Sequence, residues 1–434
     1  MFKVCFLGAG STIFAKNVLG DCILTPSLGK FEIALFDIDA ERLNDSFVML
    51  ENINRNYHGK AVVKKYTDRR EALRGSRFIV NAVQVGGYEP CTIWDFEIPK
   101  KYGLRQTIGD TLGIGGIFRA LRTMKVLDGF AADIHDVCPD ALFINYTNPM
   151  SALTGYLQSV LQLKAVGLCH SVQVCVKMLL EELGMGEYFG GVKSKIAGIN
   201  HQAWLLEICD GEGNDLYPEI KRRSASGKYD LQRNLVRHEI MRRFGYYNTE
   251  SSEHTAEYSP YFIKDKYPEL IERFHIPLDE YPRRCVQQIE DWKALREKVV
   301  NEKVEHEVSK EYAAKIIDSV INNTPYTVHG NVLNRGLITN LPQNACVEVP
   351  CLVDRGEIQP CVVGALPEQL AGLNRMSINP QLMTIQAAVD HRKDSVYQAA
   401  MLDAHTAAEL SIDDIVKMCD EFFAVEKDWL YDFR

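Results

Sequence analysis

No two of the twelve cysteines in this chain form a C-x-x-C unit; they lie scattered along its 434 residues. That absence excludes a zinc ribbon and gives no support to a disulfide framework. Long apolar runs are missing too, and none approaches the roughly 20 residues that a membrane-spanning helix needs. The opening stretch FKVCFLGAG is short and has no small-residue cleavage site, so no secretory leader is expected. In a reducing, cytoplasmic setting the cysteines stay thiols, most of them small hydrophobes of the core. Nor is there an excess of basic residues: 49 Lys and Arg face 58 Asp and Glu, a net charge of −9. Such a surface favours solubility and disfavours a nucleic-acid partner. Repeats and low-complexity linkers are absent as well.

What is present is a rhythm. Apolar runs that stop at glycine or proline alternate with amphipathic stretches. KVCFLGAG, FEIALFDID, SRFIVNAVQVGG, ALFINYTNP and KAVGLCH read as strands, with helical spacing between them. That alternation predicts a parallel sheet covered on both faces, over residues 1–195. A chain of this length commonly holds two cores, and residues 196–434 read differently. KIAGINHQAWLLEICD predicts one or two strands with a turn at DGEGND. TPYTVHGNVLNRGLITNLPQNACVEVPCLVD alternates like antiparallel strands, and the stretch from QLMTIQAAVD onward is helical.

The first strand runs into Gly8-x-Gly10, followed by Ser11 and Thr12 at the start of a helix. A turn without Cβ atoms lets backbone N–H groups approach a pyrophosphate at a helix N-terminus. Ile13 stands where a third glycine is usual. Asp37 ends the second strand, where a carboxylate can accept from a ribose diol, and favours NAD over NADP. A structural turn and a solvated strand-end acid are the plainer readings of these residues. The order strand, G-x-G, helix, strand, Asp gives the expected fold class: α/β, a Rossmann-like doubly wound parallel sheet with a second α+β domain.

In such a sheet ligands lie beyond the C-terminal ends of the strands. The fourth strand ends at NYTNP and the fifth at GLCHS, which places Asn148 and Cys169 on the nicotinamide side. The TNP loop is similar to that of lactate and malate dehydrogenases. Asp110 sits in a glycine-rich segment before a helix that carries Arg119 and Arg122, the bland alternative being a helix cap with solvated arginines. His201 follows a strand-like run, and a lone histidine is more often a satisfied core residue. Glu250, Glu253, His254, Glu257 and Tyr258 cluster in TESSEHTAEY. On these residues alone Cys169 is a nucleophile, a metal ligand or core filler.

The blocks FLGAGSTIFAKNVLGD, VQVGGYEPCTIWDF, QTIGDTLGIGGIFRALRT, NYTNPM, GLCHSVQ, AGINHQAW, TESSEHTAEYSPYFIK, PLDEYPRRCV and GNVLNRGLITNLP, spread over residues 3–430, resemble the bacterial α-galactosidases of glycoside hydrolase family 4. The resemblance implies a tightly held NAD, a divalent metal, usually Mn2+, and Cys169 and His201 as the two protein ligands of that metal. It implies hydrolysis of terminal α-D-galactosides such as melibiose, with retention, by oxidation at C3, deprotonation at C2, elimination and water addition. Asn148 is then a substrate contact, and Asp110 an acid that supports the base. His170 stands where phospho-glycosidase members carry an aspartate as proton donor, and takes that role; CHS in place of Cys-Asp-x-Pro implies a non-phosphorylated sugar. Tyr258 is the implied base, with His254 as the alternative. Family members commonly form homodimers or homotetramers. Other outcomes are an α-glucosidase or α-galacturonidase of the same family, an NAD-dependent hydroxyacid dehydrogenase, and a non-catalytic NAD-binding sensor.

Overall fold

Each apolar run of the first half becomes a strand whose successive side chains enter opposite layers of the core. In a computed structural model, which describes residues 1–301 and 305–434, these strands are β1 (Lys3–Leu7), β2 (Phe31–Phe36), β3 (Ala61–Tyr66), β4 (Phe78–Asn81), β5 (Leu142–Asn145) and β6 (Ala165–Gly167). They are parallel, in the order β3-β2-β1-β4-β5-β6. That is the order of a doubly wound dinucleotide-binding sheet, with its crevice beside the first strand. Val4 and Phe6 point into one layer, Cys5 and Leu7 into the other; Phe78 and Val80 divide from Ile79 in the same way.

β3 is a strand that the sequence reading does not contain. Its residues, AVVKKY, form a short edge strand on which Lys64 and Lys65 are exposed. Lysines blunt an edge against pairing with another chain, and they also hide the strand from a pattern search.

The sheet does not stop at β6. β7 (Lys193–Ile199), β8 (Gln202–Cys209), β9 (Tyr247–Asn248), β10 (Tyr326–Leu333) and β11 (Cys346–Asp354) continue it, antiparallel, in the order β10-β11-β7-β8-β9, and β12 (Glu357–Pro360) pairs with β11. KIAGINHQAWLLEIC thus makes two strands whose reversal falls at Asn200–His201, while DGEGND turns the chain only after β8. Residue 195, at which the sequence reading divides the chain, lies inside β7. The C-terminal helices Glu368–Asp390, Lys393–Leu402 and Ile412–Val425 return to the first half. Their Ala387, Val396, Met418 and Phe422 pack into the same layer as Leu7 and Ile79.

Arg119 and Arg122 are not solvated. Both are buried on the helix Gly113–Val137. Arg122 donates to Asp95 Oδ1 and Oδ2 (2.9 and 2.6 Å), to Glu426 Oε1 (2.9 Å) and to the Val85 carbonyl (3.2 Å). It ties the C-terminal segment to the helix Ile93–Lys101. Removing one member of a buried ionic group strands the others without a partner. Arg122→Ala should therefore lower unfolding free energy by about 3–5 kcal/mol, measured by urea denaturation. A change below about 1 kcal/mol, the level of an exposed pair, would remove this group from the supports of the fold.

Candidate active site

The site lies where the parallel and antiparallel halves of the sheet meet. Gly167 on β6, Asn331 on β10, Glu348 on β11 and Gly198 on β7 are successive partners across that junction. Neither glycine has room for a side chain: a Cβ on Gly167 would lie 2.5 Å from Met150 Sδ, and one on Gly198 2.6 Å from the Gln202 carbonyl oxygen. Cys169 follows β6, and His201 occupies the reversal between β7 and β8, so this register delivers both to one rim. Glu250 follows β9 and joins them; the ligand atoms of Cys169, His201 and Glu250 all lie within 4.8 Å of one another. Glu250 Oε2 is 3.8 Å from Cys169 Sγ and 3.8 Å from His201 Nε2. Its other oxygen accepts the Ser251 amide at 2.8 Å, which fixes the direction of the carboxylate.

Burial, then the charges of Glu250 and Glu348, push the Cys169 thiol well above its ordinary range. A thiol held protonated is a poor nucleophile. A divalent cation would offset those charges and take the thiolate as ligand, with release of the proton. Burial works against ionisation of Glu250, yet His254, His201, the Ser251 amide and Arg237 hold its carboxyl at about 2. Thiolate, imidazole and carboxylate together suit a borderline divalent ion, so the residues fit such a metal.

Around this triad stand most of the other expected residues. Asp110 Oδ2 accepts from Asn148 Nδ2 at 3.1 Å and Oδ1 from the Thr111 hydroxyl at 2.7 Å, and that hydroxyl lies 3.4 Å from His201 Nδ1. Burial opposes ionisation of Asp110, but Arg119, His254 and His201 hold its pKa below the usual value. Asn148 Oδ1 is buried without a partner among the described residues, an acceptor free for a ligand hydroxyl. His254 has its ring 4.4 Å from that of His201; burial and then His201 lower its pKa against the pull of Glu250, Asp110 and Glu253, which favours the neutral imidazole.

Tyr258 is placed differently from an open base. It is 1 % exposed; its hydroxyl donates to the Asn200 carbonyl at 3.1 Å and accepts the His201 amide at 2.9 Å. Burial raises its pKa well above 10.0, the His201 amide opposes this, and Asp110, Glu250 and Glu257 add to it. His170 is 46 % exposed on its side chain, and its Nε2 lies 2.5 Å from Glu311 Oε1, which outweighs burial and raises its pKa.

The glycine loop has a structural side that its motif did not reveal. A Cβ on Gly8 would lie 2.8 Å from the Ala82 backbone, and one on Gly10 2.8 Å from Asp37 Oδ2. Asp37 accepts the Gly10 amide at 2.6 Å and the Asp39 amide at 2.9 Å, so the two ends of the motif are in direct contact. Thr12 is buried, with its hydroxyl on Ser46 and the Gly10 carbonyl, and shapes the loop from inside. Ser11 precedes the helix Thr12–Ile23 without a side-chain cap, which leaves the first amides of that helix to an anion. The loop thus fits a dinucleotide pyrophosphate.

Three residues escaped the sequence reading: Thr111, Glu311 and Glu348. Glu348 carried a signal, an acid in the apolar strand CVEVPCLVD. The other two carried none.

The sequence matches "Family 4 glycosyl hydrolase" over residues 3–185 and "Family 4 glycosyl hydrolase C-terminal domain" over residues 196–406. It is 58 % identical over 435 residues to an α-galactosidase of Bacillus subtilis (strain 168), covering 100 % of both chains. It is 32 % identical to an α-galactosidase of Rhizobium meliloti (strain 1021), over 99 % of this chain and 89 % of the relative. Its fold matches that of a 6-phospho-α-glucosidase from gut microorganisms solved with NAD and Mn2+, at TM-score 0.83 and 20 % identity over 100 % of both chains.

Glu348 is the most isolated acid of the junction. Its Oε2 has no partner among the described residues. Burial outweighs His201 and the Asn331 hydrogen bond and, with Glu250, pushes its carboxyl up from 4.5 to about 7. The folded protein therefore binds this proton more tightly than the unfolded chain, and the associated stability is lost as pH rises from 4.5 towards about 7. In EDTA-treated protein, Glu348→Gln should gain up to about 3 kcal/mol relative to wild type between pH 4.5 and pH 8. A stability difference in urea that does not move with pH would show that Glu348 does not titrate there.

Proposed function

The chain belongs to family 4 of the glycosyl hydrolases, and from that membership we propose that it is an α-galactosidase. Its substrates in this reading are terminal, non-phosphorylated α-D-galactosides such as melibiose, and its aids are NAD and Mn2+. The observation that carries it is the meeting of Cys169, His201 and Glu250 on the rim that also carries Asn148 and the glycine loop. The 58 % identity with the Bacillus subtilis α-galactosidase, over the full length of both chains, supports the choice of sugar. In the same reading residues 1–195 hold the cofactor, residues 196–434 complete the substrate and metal site, and the protein works in the cytoplasm as a homodimer or homotetramer.

When bound, NAD on the loop of Gly8, Gly10, Ser11 and Asp37 would supply reversible oxidation at C3, and the cation held by Cys169, His201 and Glu250 a Lewis acid that makes the C2 proton removable. The chain's own residues do the rest. Asn148, fixed by Asp110, offers Oδ1 to a sugar hydroxyl. In this reading Tyr258 would take the C2 proton as a phenolate: burial, then Asp110, Glu250 and Glu257, hold the phenol protonated, so its own proton must first leave to solvent as a bound cation offsets those charges, and the His201 amide is a donor ready to hold the phenolate. His170, oriented by Glu311, protonates the departing oxygen. A second reading gives the base role to His254, because burial and the neighbouring His201 favour the neutral imidazole that a base needs.

Release of nitrophenol from nitrophenyl α-galactoside should require NAD, stop with EDTA and return with Mn2+. Cys169→Ser should lose bound metal and more activity than the roughly 10- to 100-fold that loss of a residue supporting a ligand costs. A fully active Cys169→Ser with normal manganese content would end the ligand assignment.

Turnover in D2O should place deuterium at C2 of the released galactose. Tyr258→Phe should abolish that exchange while His254→Gln retains it; the reverse result transfers the base role to His254. Absence of exchange together with absence of a rate effect from deuterium at C2 or C3, in wild type that turns over normally, would remove the C2 step altogether.

A further inference from the structure

The segment 106–111 has no regular secondary structure, yet it presents Asp110 and Thr111 to the site. What holds it is one carboxylate. Glu257 Oε1 accepts the amides of Thr107 (2.5 Å), Ile108 (3.0 Å) and Gly109 (3.2 Å), and Oε2 accepts Gly109 as well (3.2 Å). Successive amides that converge on one anion form a nest, here filled by the protein's own side chain. Gly109, at φ +55°, makes that curvature possible. The Thr107 hydroxyl adds a bond to the Glu253 carbonyl at 2.9 Å.

Glu257 is buried, and among the described residues no lysine or arginine pairs with it. A carboxylate buried without a cation is costly and persists where its hydrogen bonds have a use. Burial, with the charge of Asp110, pushes the Glu257 carboxyl up to about 7, against the pull of the Thr107 and Gly109 hydrogen bonds. The geometry of the nest accounts for the residue type: the four hydrogen bonds to the side chain all come from the amides of residues 107–109, and an ionised carboxylate meets them as an acceptor only. Glutamine would turn one of its two terminal atoms into a donor against donors. Glu257 closes the helix Ser252–Glu257, which carries His254, and it directly precedes Tyr258. The loop that brings Asp110 and the helix that brings both candidate bases are therefore joined through this one side chain.

We propose that Glu257 is a positioning residue which fixes Asp110 against Asn148, His254 and Tyr258 by holding the amides of residues 107–109. Among the described residues its hydrogen bonds go to the amides of residues 107–109 and none to Cys169, His201 or Glu250; it acts through Asp110. The effect on turnover rests on the α-galactosidase reading, whereas the effect on the loop does not.

Two measurements test this on protein loaded with NAD and Mn2+. Hydrogen exchange followed by mass spectrometry should show the amides of residues 107–109 opening about 10- to 100-fold more readily in Glu257→Gln than in wild type, the range expected for hydrogen bonds to a charged group. Glu257→Asp, which keeps the charge but falls short of the amides, should move in the same direction and serves if the glutamine variant does not fold. Unchanged protection in a folded variant would overturn the proposal, whether or not the protein hydrolyses galactosides. In a double-mutant cycle, Glu257→Gln should lower kcat about 10- to 100-fold with Asp110 present and less than about threefold in the Asp110→Asn background. Losses that simply multiply would show that Glu257 does not work through Asp110, and would overturn the proposal as well.

Discussion

The junction between β6, β10, β11 and β7 is the constraint on which the site depends. Six parallel strands can place ligand-facing residues only at their own C-terminal ends. His201 comes from a different element, and it reaches the same rim because Asn331 and Glu348 bridge Gly167 to Gly198 in strict register. A slip of one residue along β10 or β11 would turn every side chain of that strand to the opposite face. The two glycines at the ends of this row are demanded by contact, since neither position accommodates a Cβ.

That junction also collects negative charge. Glu250, Glu348 and Asp110 stand around Cys169 and His201, with Glu257 behind them. Burial, reinforced by the charges of Glu250 and Glu348 at Cys169 and of Asp110, Glu250 and Glu257 at Tyr258, keeps the thiol protonated and the tyrosine a very weak acid. Such a centre is poorly balanced without a cation and well balanced with one. Glycosidases that rely on two carboxylates arrange one to donate and one to attack. Here the acids surround a cation site and a phenol.

Legibility followed from how local each signal was. The G-x-G loop, Asp37 and the five apolar strands are local patterns of sequence, and they could be read directly. Cys169, His201, Asn148 and Asp110 could be nominated because distinctive short blocks surround them, though nothing in their spacing shows that they meet. β3 was missed because an edge strand with two lysines has no apolar pattern. The burial of Arg119 and Arg122 was missed for the opposite reason: helical spacing puts them a turn apart whether the face is wet or dry, and it is Tyr281 against Arg119 and Glu426 against Arg122 that make it dry.

Composition and periodicity by themselves determined the class of fold and the presence of a dinucleotide loop, because these depend on which residues are neighbours in the chain. Tertiary structure alone decided that Glu250 joins Cys169 and His201, that Glu311 pairs with His170, and that the Tyr258 hydroxyl lies between Asn200 and His201. These contacts link residues from 49 (Glu250 and His201) to 141 positions apart. Hydrogen bonds and Coulomb forces act over a few ångströms, so such partners exist only once the sheet register has closed the distance between them.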